Sequence, residues 1–193
     1  MKSFYKLILK RRTIRRFRQK KVSRLILRKL INAARLAPSA ANLQFLEYLI
    51  IDDKALVNKI FPFTKWAGYL EGRGTPLREE IPSVFIAVLK NLRRSSNIDL
   101  RDIGAAVENI LLAGICFNIA GCWIASINKP AIGRILRVPQ GLDLDSVVAL
   151  GYTRQKSRVF DSRSTVKYSQ LPDKNLIVPK RPLRDILHFN YFK

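Results

Sequence analysis

Two short segments concentrate the side chains able to bind a ligand or do chemistry. Arg11-Arg12-Thr13-Ile14-Arg15-Arg16-Phe17 gathers guanidinium groups around one hydroxyl. Guanidinium forks bind phosphate through charge-assisted, often bidentate hydrogen bonds, and a neighbouring hydroxyl suits a polyol tail. Ala37-Pro38-Ser39-Ala40-Ala41-Asn42-Leu43-Gln44 places small residues and amides at a helix end. There a flat heterocycle can approach the backbone and be read by groups that both donate and accept. One strongly apolar helix separates the two segments. Together they point to a bound nucleotide-like cofactor rather than to a catalytic side-chain triad. The single histidine, His188, lies near the C-terminus and reads as structural, and Glu79, Glu80 and Glu108 show no acid–base pairing pattern.

The elements that must position these residues belong to one domain spanning residues 1–193, long enough to bury a substantial core. With 48% hydrophobic residues the chain as a whole is not a disordered one. The formal net charge of +22 is extreme and densest from Lys10 to Lys21. Such a charge suits nucleic acid, an anionic surface, or an anionic cofactor and substrate, but says nothing of fold. Cys116 and Cys122 read as buried small hydrophobes. With no CxxC and no Cys/His cluster, no metal site is expected. Two cysteines in a chain of this length fit a reducing cytoplasm. The N-terminal apolar patch, Leu7-Ile8-Leu9, is too short for a signal peptide, and no stretch approaches the length of a membrane span.

Helical and strand-like patterns alternate, which predicts a mixed α/β or α+β architecture. Phe4, Leu7 and Ile8 suggest a short first helix ending near Arg11, and residues 12–21 read as an extended turn too charged for the core. Ser23 can cap a second helix whose apolar face runs from Leu25 to Ala37, closed by Pro38. Strands are expected at Gln44 to Ile51, Val84 to Leu89 and Ser146 to Leu150, with a short strand or turn at Trp123 to Ser126. Asp52-Asp53 leads into a third helix. The strongest helix runs from Asp99 or Leu100 to Ile119, with Gly121 expected to end it. Lys129 to Leu136 forms another. Residues 61–82 make a long irregular segment suited to a lid, in which Phe63, Trp66 and Tyr69 are candidates to cover a cofactor or to anchor the core. Residues 152–193 read as an extended C-terminal arm with a short helix near Pro182.

Five motifs in order resemble the FMN-dependent nitroreductase family. They are the Arg-Arg-Thr-Ile-Arg-Arg-Phe start, Ala-Arg-Leu-Ala-Pro-Ser-Ala-Ala-Asn-Leu-Gln, the Asp-Ile-Gly-Ala-Ala-Val-Glu-Asn-Ile-Leu-Leu-Ala helix, Gly-Cys-Trp-Ile-Ala-Ser, and Ala-Leu-Gly-Tyr followed by Lys-Arg-Pro-Leu. The resemblance implies an α+β nitroreductase-like fold, a mostly antiparallel central sheet flanked by helices. It implies a homodimer with FMN at the subunit interface and an exchanged C-terminal arm. Residue by residue, it places Arg11, Arg12, Thr13 and Arg15 on FMN, with Arg15 at the N1/O2 edge where negative charge develops on reduction. Pro38, Ser39, Asn42 and Gln44 would line the ring, Asn42 suiting its N3–H/O4 edge. Ile124, Ala125 and Ser126 would turn a backbone amide towards flavin N5, although the family often has Gly where Ala125 stands. Lys180 and Arg181 would close on the phosphate.

The activity so implied is transfer of a hydride from NADH or NADPH to flavin N5 and of electrons onward to a nitroaromatic, quinone or similar acceptor. The cofactor would carry the chemistry, so no catalytic side chain is expected. Two other readings stay open: a flavin-binding protein for storage or sensing, and a nucleic-acid-associated protein using Lys10 to Lys21 as a phosphate-contacting arm.

Overall fold

The computed structural model describes residues 4–95 and 97–192; of the basic N-terminal stretch, residues 1–3 lie outside it. Its centre is a four-stranded sheet in the order β1-β2-β4-β3, with every neighbouring pair antiparallel. The strands are β1 (Leu46–Ile51), β2 (Val84–Asn91), β3 (Ile119–Ile124) and β4 (Leu142–Tyr152). Strand β2 is apolar at every position from Val84 to Leu89 because both its faces are covered. Its alternate residues serve two cores, as the strand period of two requires. Val84, Ile86 and Val88, with Val148 and Leu150 of β4, pack under helices α2 (Arg24–Arg35) and α4 (Leu100–Cys116). Phe85, Ala87 and Leu89, with Val147 and Ala149, face α3 (Lys54–Ile60) and α5 (Lys129–Leu136). The antiparallel sheet flanked by helices is the expected α+β layout.

The helix starts obey their capping residues. Ser23 Oγ accepts from the Ile26 N–H at 3.3 Å, Asp53 Oδ1 from Leu56 at 2.8 Å and Asp99 Oδ1 from Arg101 at 2.9 Å. The C-terminus of α4 departs from expectation. The helix stops at Cys116, and Asn118 takes the left-handed turn at φ 57°, a conformation that Asn tolerates better than most residues. Ile119 therefore opens β3 instead of closing the helix. Gly121 lies inside β3, where a Cβ would come within 2.6 Å of Leu150 Cδ2 and 2.7 Å of the Ala149 carbonyl oxygen. Its small size serves sheet packing rather than helix termination. Helix α1 (Phe4–Lys10) buries none of its residues.

Residues 12–18 also differ from an exposed turn. The Ile14 N–H donates to the Gly121 carbonyl at 2.9 Å, Phe17 to Glu80 at 2.9 Å and Arg18 to Tyr152 at 2.8 Å. So tied, the segment sends Ile14, Arg16 and Phe17 inward. Arg16 keeps its charge in the interior by pairing with Glu80, itself buried, and by donating to the Arg73 carbonyl at 3.3 Å. Arg154 Nε lies 3.8 Å from the other Glu80 oxygen.

The arm beyond β4 forms a second small sheet in the order β5-β7-β6, from β5 (Ser157–Asp161), β6 (Ser169–Gln170) and β7 (Leu176–Lys180). Leu176, Tyr168 and Val178 pack on Ala67 and Leu70 of the 61–82 segment in the same chain. Beyond β7, Leu183, Ile186, Leu187, Phe189, Tyr191 and Phe192 are exposed.

Removing one member of a buried ion pair strands the other. Glu80→Ala should therefore destabilise the chain by about 3–5 kcal/mol, whereas exposed Glu79→Ala should stay within about 0.5 kcal/mol of wild type, both read from denaturant midpoints. Burial also pushes the Tyr48 phenol up to about 12. The folded state holds this proton above the phenol's ordinary range, so stability should fall as pH rises from about 10 towards 12. Tyr48→Phe should flatten that fall in an alkaline denaturation series.

Candidate functional site

The N-terminal segment builds one cavity from its outward residues. Once Ile14, Arg16 and Phe17 turn inward, Arg11 and Arg12 face a space of about 450 Å³. Lys10, Lys156 and Arg158 line it as well, with Ile14, Leu111 and Ile115 as an apolar wall. Arg11 Nε lies 2.9 Å from Glu108 Oε1 on α4, the one ion pair that a cation of this group makes among the described residues. Burial, with Arg11 alongside, holds the Arg12 guanidinium below its ordinary range. Ser157 also lines the cavity, and its hydroxyl oxygen is buried with no hydrogen-bond partner among the described residues. Five cations beside one half-exposed carboxylate, with an unused hydroxyl, form a donor set for a phosphate group.

Thr13 bridges to Gly121 at the cavity's edge. Arg15 turns elsewhere. Its backbone N–H donates to Gln155 Oε1 at 3.2 Å, and its guanidinium lies 5.1 Å from the centre of the Tyr168 ring. Its Nε is buried without a partner among the described residues. Cys122 is buried beside it, and burial pushes that thiol up against the opposing effects of the Arg15 charge and of hydrogen bonding to the Arg15 side chain. Cys116, expected to be buried, is exposed at the end of α4.

The second segment forms a separate turn. Ser39 precedes a 3-10 turn over Ala40–Asn42, and Ala41, Asn42 and Gln44 have φ of 49°, 55° and 49°. Asn42 and Gln44 are exposed, as is Pro38. Ser39 Oγ donates to Asp102 Oδ2 at 2.6 Å and accepts from the Gln44 N–H at 3.0 Å. Pro38, Ser39, Gln44 and Asp102 line a smaller cavity of about 190 Å³ with Tyr48.

Both segments therefore anchor on α4, at Glu108 and at Asp102. Six helical residues separate these anchors by about 9 Å along the axis and roughly 120° around it. Within one chain the basic cavity and the amide-bearing turn lie on different faces of the helix and share no lining residue.

The other expected site residues are more scattered. Ile124 ends β3 in the core, and Ala125 and Ser126 beyond it are exposed. The Ser126 carbonyl accepts from the Lys65 N–H at 2.9 Å, which joins this corner to the 61–82 segment. In that segment Trp66 is core and donates to Thr64 Oγ1 at 2.8 Å, and Phe63 packs against the same core. Of these three aromatics only Tyr69 is exposed, its ring centre 5.1 Å from that of Tyr168. Lys180 ends β7, level with Asp161, and Arg181 donates to the Asp185 carbonyl at 2.9 Å. The parallel register sets Lys180 four residues, or about 13 Å, along from the Ser157 level. Thus Lys156 and Arg158, rather than Lys180 and Arg181, join Arg11 and Arg12 in this chain. His188 lies at the surface against the Phe192 ring. No cluster of metal-ligating residues exists among the described residues, and no described helix is long and apolar enough to cross a membrane.

Sequence reasoning missed Lys156, Ser157, Arg158 and Asp102. The Lys-Ser-Arg run is plain in the sequence, but in so basic a chain it carries no signal by itself.

Residues 8–80 match the model of the nitroreductase family. A protein of Archaeoglobus fulgidus named as an NADH dehydrogenase/NAD(P)H nitroreductase is 27% identical over 166 residues, 84% of this chain and 92% of that protein. Among solved structures, a Parabacteroides distasonis protein described in the same terms superimposes with a TM-score of 0.73 at 23% identity, each chain covered in full. A nitroreductase from Desulfovibrio desulfuricans, solved in complex with FMN, gives 0.70 at 24% identity, covering 100% of this chain and 99% of that one. The chain carries the nitroreductase fold, and the resemblance to that family read from its motifs is borne out.

Proposed function

We propose that the chain is an FMN-dependent oxidoreductase that draws on NADH or NADPH and reduces a flat acceptor such as a nitroaromatic or a quinone. The observation that carries this reading is the basic cavity of Lys10, Arg11, Arg12, Lys156 and Arg158 around the unpartnered Ser157 hydroxyl. Its charge and donors fit a phosphate dianion, the one strongly charged group of FMN. Relatives with this fold carry names of the same activity, and one was solved with FMN.

When bound, the flavin supplies a ring able to accept a hydride from reduced nicotinamide and to pass electrons on. The chain's own residues bind and orient. Arg11, Arg12, Lys156 and Arg158 would hold the phosphate, Ser157 would donate to one of its oxygens, and Thr13 would meet the polyol chain. Arg15 brings a cation with an unpartnered Nε to a site poor in water, which favours negative charge on a neighbouring ring edge. Asn42 and Gln44 offer amides able to pair with a ring edge that both donates and accepts.

A second copy of the chain would complete the site. The phosphate-binding half and the amide-bearing half lie on different faces of α4, so one chain's cavity would face its partner's turn. Exposed Phe4, Tyr5, Ile8 and Leu9 on α1, Leu100 on α4 and the aromatic C-terminus are apolar surface of the kind such an interface covers.

The purified protein, supplied with FMN if needed, should show a flavin absorption spectrum that bleaches with NADH or NADPH without oxygen. A flavin spectrum that persists would make the chain a carrier, and absence of any flavin binding would sink the assignment. Arg11→Ala, at the phosphate end, combined with Arg15→Ala, at the ring edge, should release FMN and leave the chain folded by circular dichroism. Lys156→Ala with Arg158→Ala should weaken FMN by about a hundredfold or more, from two charge-assisted bonds worth roughly 1.5–3 kcal/mol each. Riboflavin binding should hardly change. Lys180→Ala with Arg181→Ala should do less, and the reverse ranking would return the phosphate to the end of β7.

A further inference from the structure

The turn that carries Asn42 and Gln44 hangs on one buried carboxylate. Asp102, in the first turn of α4, is only 6% exposed. Its Oδ2 accepts from Ser39 Oγ at 2.6 Å, and its two oxygens accept from the Ala40 N–H at 3.1 and 3.2 Å. Ser39 Oγ passes the restraint on by accepting from the Gln44 N–H at 3.0 Å. Between these tethers Ala41, Asn42 and Gln44 all stand at positive φ. L residues pay for that conformation, and it persists where the surroundings over-determine it. Apolar packing reaches the turn only through half-buried Leu43, because Ala40, Ala41, Asn42 and Gln44 are exposed. The hydrogen bonds that Asp102 and Ser39 accept supply the rest of the restraint.

We propose that Asp102 is a positioning residue: acting through Ser39 and the Ala40 N–H, it fixes the left-handed turn that presents the Asn42 and Gln44 amides to the heterocyclic ring of a bound flavin. The function of the turn rests on the flavin reading of the site, whereas its dependence on Asp102 does not. A carboxylate is the group suited to the place. It accepts from a hydroxyl and a backbone N–H together, and the first turn of a helix favours its negative charge. An amide of the same size would set an NH2 group against one of these donors.

The test uses the full chain without cofactor, titrated with FMN and separately with riboflavin by quenching of flavin fluorescence, in wild type, Asp102→Asn, Asn42→Ala and the double variant. Asp102→Asn should weaken both flavins by the same factor, about tenfold or more, because the ring is common to them. Asn42→Ala should cost much less in the Asp102→Asn background than alone, since the turn would no longer present the amide. A carboxylate that merely ties α2 to α4 would give additive losses. Amide hydrogen exchange at Ala40 and Gln44 should quicken in Asp102→Asn while the rest of α4 exchanges as before.

Wild-type flavin affinity in Asp102→Asn, additive losses with Asn42→Ala, or unchanged exchange at Ala40 and Gln44 would each overturn the proposal. Should Asp102→Asn fail to fold, Ser39→Ala takes its place. It leaves the bond from Ala40 to Asp102 and should reproduce the same pattern more weakly, wild-type behaviour again being decisive against. A wild-type protein that binds neither flavin would sink the cofactor reading, and exchange at Ala40 and Gln44 would then decide alone whether Asp102 sets the turn.

Discussion

A helix buried along most of its length can carry a charge only where that charge is bonded, and α4 is organised around this constraint. Ile103, Ala106, Val107 and Ile110 fill the core beneath the sheet. The carboxylates flanking the start and middle of that apolar run each meet a segment with ligand-binding chemistry. Asp102 is satisfied by Ser39 and Ala40, Glu108 by Arg11. Desolvation makes the buried carboxylate costly to leave unmatched, so the polar segment that matches it is held where the helix puts it. The two contact points on the helix lie about 9 Å apart along its axis and roughly 120° around it.

The same logic governs the cations. A chain of +22 cannot pair each of them, and most remain in water. Arg16 is the exception that shapes the fold, because its burial draws Glu80 inward and ties residues 12–18 to the 61–82 segment. With backbone bonds to β3, to Glu80 and to Tyr152, that stretch is part of the fold. It is not a free arm. What remains for a ligand is the outward edge, Lys10 to Arg12, joined by Lys156 and Arg158 from a distant part of the chain.

Much of this is legible in the sequence where one physical signal dominates. The apolar run of β2, the caps Ser23, Asp53 and Asp99, and the apolar period of α4 each declare an element locally. Misreadings arise where a residue answers to a distant neighbour. Gly121 resembles a helix stop because the contact that requires it, with Ala149 and Leu150, lies across a strand pair. Arg16 resembles a solvated cation because its partner is 64 residues away. Lys156 and Arg158 are hidden in a basic background, and the register of β5 against β7 sets Lys180 and Arg181 apart from them. Asp102 stands in plain view at the head of the α4 motif, but a carboxylate in a helix's first turn reads as ordinary helix chemistry until its acceptor bonds are seen.

The lack of a nucleophile–base pair also has a physical consequence. Where a cofactor carries the reaction, the protein works through placement and field, and its demanding residues are those that hold others still. In this chain they are Glu80 for the N-terminal segment, Gln155 for the Arg15 backbone, and Asp102 for the amide turn. All three are buried, and each binds a backbone N–H, a hydroxyl or a guanidinium of another segment. An exposed side chain holds such a partner less firmly, because water competes for the same bond. The polar interior therefore maps the positioning framework, while the groups suited to meet a ligand, Arg11, Arg12, Asn42 and Gln44, stand at its edge.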